Sequence, residues 1–132
     1  MRRGFGVVVV VVGLFTAGGA LPEALTQEKK AEDACVAACR ACAAACATCA
    51  ADCAKEGRME CAKLCRVCQQ VCLACAALEE GISDRELIAQ ARQLCAKVCR
   101  KCAAECQKGS DETCKKCADA CTKCADVCTK AK

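Results

Sequence analysis

The stretch CVAACRACAAACATCAADC, Cys35 to Cys53, places six cysteines at separations of four, three, four, three and four residues. A mean step of 3.5 residues keeps every thiol on one face of an α-helix, along the seam by which bundle helices bury themselves against one another. Such seams ordinarily carry Leu or Ile. Here the seam is thiol, and the residues between are mostly Ala, the best helix former. The stretch therefore predicts a helix whose core-facing stripe is cysteine.

The pattern recurs three times downstream. Cys61, Cys65, Cys68, Cys72 and Cys75 form a second stripe, Cys95, Cys99, Cys102 and Cys106 a third, and Cys114, Cys117, Cys121, Cys124 and Cys128 a fourth. With Cys35, Cys39, Cys42, Cys46, Cys49 and Cys53 these account for all 20 cysteines. CAKLCRVCQQVC (Cys61–Cys72) resembles CAKVCRKCAAEC (Cys95–Cys106) closely enough to suggest duplication of a striped helix. Turn signals separate the stripes. Gly57 divides the first two, EEGISDRE (Glu79–Glu86) the next, with Ser83 and Glu86 as a capping box, and KGSDE (Lys108–Glu112) the last, with Gly109 as a helix stop and Ser110 or Asp111 as a start. Short connections make consecutive helices antiparallel neighbours, so the predicted fold is all-α, an antiparallel up-down-up-down four-helix bundle with a cysteine-lined core. In that topology Cys53, Cys61, Cys106 and Cys114 share one end. Cys49, Cys65, Cys102 and Cys117 form the next layer, then Cys46, Cys68, Cys99 and Cys121, then Cys42, Cys72, Cys95 and Cys124. An apolar plug of Leu25, Leu78, Leu87, Ile88 and Ala91 is expected to close the other end.

The rest of the composition agrees. The chain has 132 residues, no Trp, Tyr or His, two Phe and a net charge of +4 spread among mixed-sign surface residues. Without aromatic residues to stack on bases or a concentrated basic face, nucleic acid is not the expected partner. An ordinary aliphatic core is also out of reach, and cysteine at this density usually means disulfides or metal. Upstream, Arg2 and Arg3, the apolar run Val7–Phe15 and the small residues Thr16–Ala20 read as a signal peptide over residues 1–20. RRGF (Arg2–Phe5) partly matches a twin-arginine signal. Residues 21–132 are then the Cys-rich metal-binding domain, exported to the periplasm and free of the membrane after cleavage. If the leader is not functional, the domain stays in the cytosol.

Three chemistries compete for the stripes. A disulfide-stapled exported helical protein suits an even cysteine count, but the nearest partners of each thiol are i±3 and i±4 on its own helix, where a bridge staples little. Zinc takes four thiolates per ion and leaves each site doubly negative, a costly charge to bury. Cu(I) is soft, accepts two or three sulfurs and suits the C-x3-C and C-x2-C pairs of one helix face. One Cu(I) per thiolate cancels the core charge, which sets a capacity of about 20 ions at most. No Ser, His or Tyr constellation supports catalysis, and the repeated C-x-x-C pairs lie in a periodic stripe, not at one helix start as in thiol oxidoreductases. The chain is therefore not expected to be an enzyme.

The C-x3-C-x2-C stripes, LCAKVCRKCAAECQKGSDETCKKCADACTKCADVC (Leu94–Cys128) and the signal-like start resemble the bacterial copper storage proteins. The resemblance implies a four-helix bundle, homo-oligomeric assembly and a core that holds many Cu(I) ions on its cysteines. Members often carry Met and His near the open end. Met59, in the first connection, is the matching residue here and a candidate transient thioether ligand. Between Cys35 and Cys53 only Arg40 and Asp52 are charged, so the first helix is apolar nearly all round and is the expected homo-oligomer interface. The thiol core is expected to fold without metal, because neutral Cys packs as a small apolar residue.

Overall fold

The structure, a computed structural model, describes residues 20–131. The signal-peptide segment lies outside the described residues, apart from Ala20. Four helices account for nearly everything described: α1 Ala20–Lys55, α2 Met59–Gly81, α3 Arg85–Cys106 and α4 Glu112–Lys130. The chain divides into two compact units, Met1–Lys30 and Ala31–Lys132. In the first, the described residues are the opening turns of α1, with Glu23 and residues 25–30 exposed. Pro22 falls in the first turn of that helix, where its missing N–H costs no intrahelical bond. The second unit contains every cysteine and is the four-helix, antiparallel, thiol-cored bundle that the stripes predict.

Each reversal has its own local cause. After α1 the Arg58 N–H donates to the Cys53 carbonyl at 2.8 Å and the Gly57 N–H to that of Ala54 at 3.2 Å. This paired closure needs a left-handed residue, and Gly57 supplies it at φ +79°. The cap of α3 is not Ser83. Asp84 stands directly before the first helical residue, and its carboxylate accepts from the Leu87 N–H at 3.1 Å, whereas Ser83 lies one residue too early. Asp111 caps α4 by accepting from the Cys114 N–H at 3.3 Å, as one of the two expected starts. Gly109 is not a left-handed stop, since Gly57 is the one positive-φ glycine among the described residues. It is needed for space, as the thiol site makes clear.

The core is nearly all sulfur and methyl. Every cysteine is at most 1 % exposed. After eight of the cysteines the next residue is a buried alanine, at positions 43, 50, 62, 76, 96, 103, 118 and 125. Helix separation follows the size of the side chains at the contact, so alanine beside each cysteine lets the helices close until sulfurs on different helices meet. On the surface Arg40 of α1 pairs with Glu80 of α2, an exposed contact of the kind that adds little stability.

The lower end departs from the predicted apolar plug. Ile88 is buried and Leu78 and Ala91 are half-buried, but Leu87 and Leu25 are exposed. The buried groups here include an ion pair, Glu79 of α2 with Arg92 of α3. The Arg92 Nε–H donates to Glu79 Oε1 and Oε2 at 3.1 and 3.2 Å, and Nη2 donates to Oε1 at 2.6 Å. A guanidinium fork on a carboxylate is the geometry that best offsets the desolvation of both charges. The pair lies thirteen residues apart across the α2–α3 turn. The expectation failed there because a lone Glu and a lone Arg near a turn read as surface residues.

Candidate metal centre

The predicted layers form, with one change of register. Between α2 and α3 the sulfurs meet level by level: Cys61–Cys106 at 3.9 Å, Cys65–Cys102 at 3.7 Å, Cys68–Cys99 at 3.7 Å and Cys72–Cys95 at 3.8 Å. Cys114, Cys117, Cys121 and Cys124 bring α4 to the same levels, as in Cys65–Cys117 and Cys68–Cys121, both 3.9 Å, and Cys95–Cys124 at 3.8 Å. α1 departs from this. Cys53 joins the top layer, 3.0 Å from Cys61 and 3.8 Å from Cys114. Cys49 reaches up to Cys106 and Cys114, both at 3.8 Å. Cys46 sits between the second and third layers, 3.7 Å from both Cys117 and Cys121. Cys42 is in the third layer, 3.4 Å from Cys121 and 3.9 Å from Cys99. Cys39 takes the place predicted for Cys42, beside Cys95 at 3.8 Å and Cys124 at 3.7 Å. A side chain that enters the gap between two neighbours packs better than one that meets them head on, and α1 spreads its cysteines to use those gaps.

Cys35 and Cys128 depart from the expectation of twenty free thiols. They are joined in a disulfide that links the start of the α1 stripe to the end of α4, with a Cα separation of 5.0 Å. The other cysteines are free and buried. Reduction returns Cys35 and Cys128 to the column, because their sulfurs lie with those of Cys39 and Cys75 within 4.8 Å of one another.

The spacing suits thiolate–metal chemistry. With metal–sulfur bonds of about 2.3 Å, an S–metal–S angle between tetrahedral and trigonal separates the sulfurs by about 3.8–4.0 Å. Most of the separations above fall close to that range. Quartets such as Cys42, Cys46, Cys68 and Cys121, or Cys46, Cys102, Cys117 and Cys121, share members, so one sulfur can bridge two ions. Burial opposes the thiolate throughout the column until metal arrives, although hydrogen bonds from neighbouring thiols pull Cys42, Cys68, Cys95 and Cys117 down. Burial pushes Cys53 up. Burial, reinforced by the thiol of Cys117, does the same to Cys49. Cys114 is pushed up to about 11 by burial and by the Asp111 carboxylate, against the opposing pull of Arg58. Among the described residues the buried charged side chains are Glu79 and Arg92, which neutralise each other. Below its top layer, where Arg58 reaches Cys53 and Cys114, the column therefore contains no cation to balance thiolates.

At the top, Arg58 lies over the last layer. Its Nη1 donates to Cys114 Sγ at 2.9 Å and to Cys53 Sγ at 3.7 Å, while Nη2 donates to the Glu105 carbonyl at 3.3 Å. Met59, one residue on, is 46 % exposed at the start of α2. The thiols and Met59 are candidates from the sequence, whereas Arg58, Glu79 and Arg92 were not expected there, since none of them belongs to a periodic pattern.

Fold and site together define a thiol-cored four-helix bundle built to hold soft metal ions. Residues 28–132 match the copper storage protein family, Csp, and the chain belongs to it. Three solved structures place the likeness in three dimensions. A cytosolic copper storage protein from Streptomyces lividans, solved during copper loading with five coppers, is 31 % identical, with a TM-score of 0.76 over 80 % of this chain and 95 % of its own. The Cu(I)-bound copper storage protein BsCsp3 is 30 % identical, with a TM-score of 0.71 over 76 % and 96 %. Apo copper storage protein 3 from Bacillus subtilis is 32 % identical, with a TM-score of 0.69 over 75 % and 96 %. Among curated proteins none matches the chain.

Proposed function

We propose that this chain takes up many Cu(I) ions and stores them on the thiolates of its core. The observation that carries the reading is the charge state of the column: contiguous buried sulfurs with no cation among them below the top layer, where Arg58 touches only Cys53 and Cys114. Each thiolate formed there needs one positive charge beside it, and a monovalent soft ion supplies that charge together with the bond. Divalent zinc on four thiolates leaves each site anionic. The Cu(I)-bound and five-copper relatives support the same chemistry, and an apo relative of the same fold supports a bundle that forms before metal binds. All 20 cysteines are the proposed ligands once Cys35 and Cys128 are reduced, at a capacity on the order of one ion per thiol. Met59 is the proposed first contact, a thioether at the top of the column. The role is storage or detoxification, not catalysis.

The test is an anaerobic Cu(I) titration of the reduced, leader-free protein against a competing Cu(I) chelator. Tight uptake of well over ten equivalents is expected. Uptake of only one or two, or few titratable thiols in the freshly purified protein, overturns storage and returns a copper chaperone or the disulfide scaffold.

We further propose export through residues 1–20 and homo-oligomerisation along α1. In the bundle α1 buries Val36, Ala38, Ala43 and Ala50 and leaves Ala37, Ala41, Ala44 and Ala51 exposed, a second apolar face available to another copy. Native mass spectrometry of the protein from the periplasmic fraction checks both proposals. The expected result is a multiple of a subunit that lacks its first 20 residues. A full-length monomer removes both.

A further inference from the structure

Nothing reaches these sulfurs as the bundle stands, since the most exposed cysteines are at 1 %. An ion enters only after some side chain moves, and the two ends differ in what must move. At the lower end the buried Glu79–Arg92 pair joins two helices, and it persists when the Cys35–Cys128 disulfide is reduced. Opening there means stripping a fork of charged hydrogen bonds from a dry site. At the upper end Arg58, a single side chain only partly buried, covers Cys53 and Cys114.

We propose that Arg58 is the lid of the thiol column and that Cu(I) passes the top layer when its guanidinium swings aside; the cargo, though not the lid, rests on the storage reading. Three features fit the part. The guanidinium donates hydrogen bonds but has no lone pair to offer a metal, so it covers the thiols without competing for the ion. It is anchored on the far side by the Glu105 carbonyl, which holds it across the opening from α1 toward the end of α3. Its seat is made by Gly109. A β-carbon at that position overlaps Arg58 Nη1 and falls 3.0 Å from Cζ and 2.8 Å from Cys114 Sγ. Gly109 is not in a positive-φ conformation, so the backbone there accepts alanine, and the substitution acts on the lid and on the Cys114 thiol beneath it, which must both shift.

Two variants test the lid by two routes. Arg58→Ala removes it, and Gly109→Ala unseats it with its charge intact. The first readout needs no copper. The reduced apo protein is treated with N-ethylmaleimide, and the modified cysteines are located by mass spectrometry. Both variants are expected to accelerate labelling of Cys53 and Cys114 about tenfold or more, with Cys39 and Cys75 at the far end unchanged. The second readout is stopped-flow transfer of Cu(I) from a chelator. Both variants are expected to load and unload several-fold faster than the parent, at equal final capacity. Unchanged labelling at Cys53 and Cys114 overturns the lid, and so does equal acceleration at all cysteines, which reports loosening of the whole bundle. Slower loading in the variants also overturns it. A parent protein that labels as expected but takes up little copper leaves the lid standing and removes the storage reading.

Discussion

Replacing Arg92 with Met while Glu79 remains is expected to destabilise the reduced apo bundle by about 3–5 kcal/mol, because a carboxylate then stays buried without its partner. For a domain of this size that lowers Tm by at least about 12 °C. Glu79→Leu alone is expected to cost a similar amount by stranding the guanidinium. The double variant, Glu79→Leu with Arg92→Met, is expected to recover most of the loss, since two apolar side chains of similar volume fill the site without charge to desolvate. Thermal melts of the four proteins decide the matter. If the double variant is as damaged as the sum of the singles, the pair contributes shape and packing, and its charges are incidental. The prediction rests on geometry: three hydrogen bonds between two side chains that are 9 % and 1 % exposed.

Cu(I) loading at neutral pH is expected to release about one proton per ion, summed over the whole titration. Twenty sulfurs packed at contact distance in a dry core cannot all be anionic beforehand, and burial already holds Cys49, Cys53 and Cys114 above their ordinary range. Each incoming ion therefore displaces a proton as it makes a thiolate. The sign follows: acid opposes loading and favours unloading. A pH-stat titration with acetonitrile-stabilised Cu(I) measures the ratio directly. A ratio near zero means that the apo core already holds thiolates, with far more counter-charge than Arg58 supplies at its upper end. A ratio that falls by half midway means that later ions bind to thiolates formed earlier.

The 3.5-residue cysteine period made the helices, their number and the thiol column legible in the sequence, because one rule, burial of a periodic face, governs all three. Asp111 was also readable as a cap. What was not legible depends on single residues that meet only after the chain has folded. Ser83 and Asp84 are both good caps, and the choice between them turns on one residue of helix boundary. Gly109 reads as a stop by composition, yet its place is decided by an arginine fifty-one positions earlier. The level-by-level layers assumed straight helices in register, whereas α1 interleaves with its neighbours. The Cys35–Cys128 bridge escaped notice because periodicity marks which face a cysteine occupies and not which other cysteine lies opposite.

The close sulfur spacing also has a consequence for traffic inside the molecule. From Cys53 one can step to Cys49 (3.7 Å), Cys106 (3.8 Å), Cys65 (3.6 Å), Cys102 (3.7 Å) and Cys46 (4.0 Å). The route continues through Cys42 (4.0 Å), Cys99 (3.9 Å), Cys72 (3.6 Å), Cys95 (3.8 Å), Cys39 (3.8 Å) and Cys128 (3.6 Å). No step exceeds 4.0 Å, so an ion that trades one sulfur at a time travels the full height of the bundle without ever being bare. Such a network percolates. Ions admitted at one point can redistribute to the deepest vacancies and return along the same rungs, so a single doorway is enough to fill and empty the whole store.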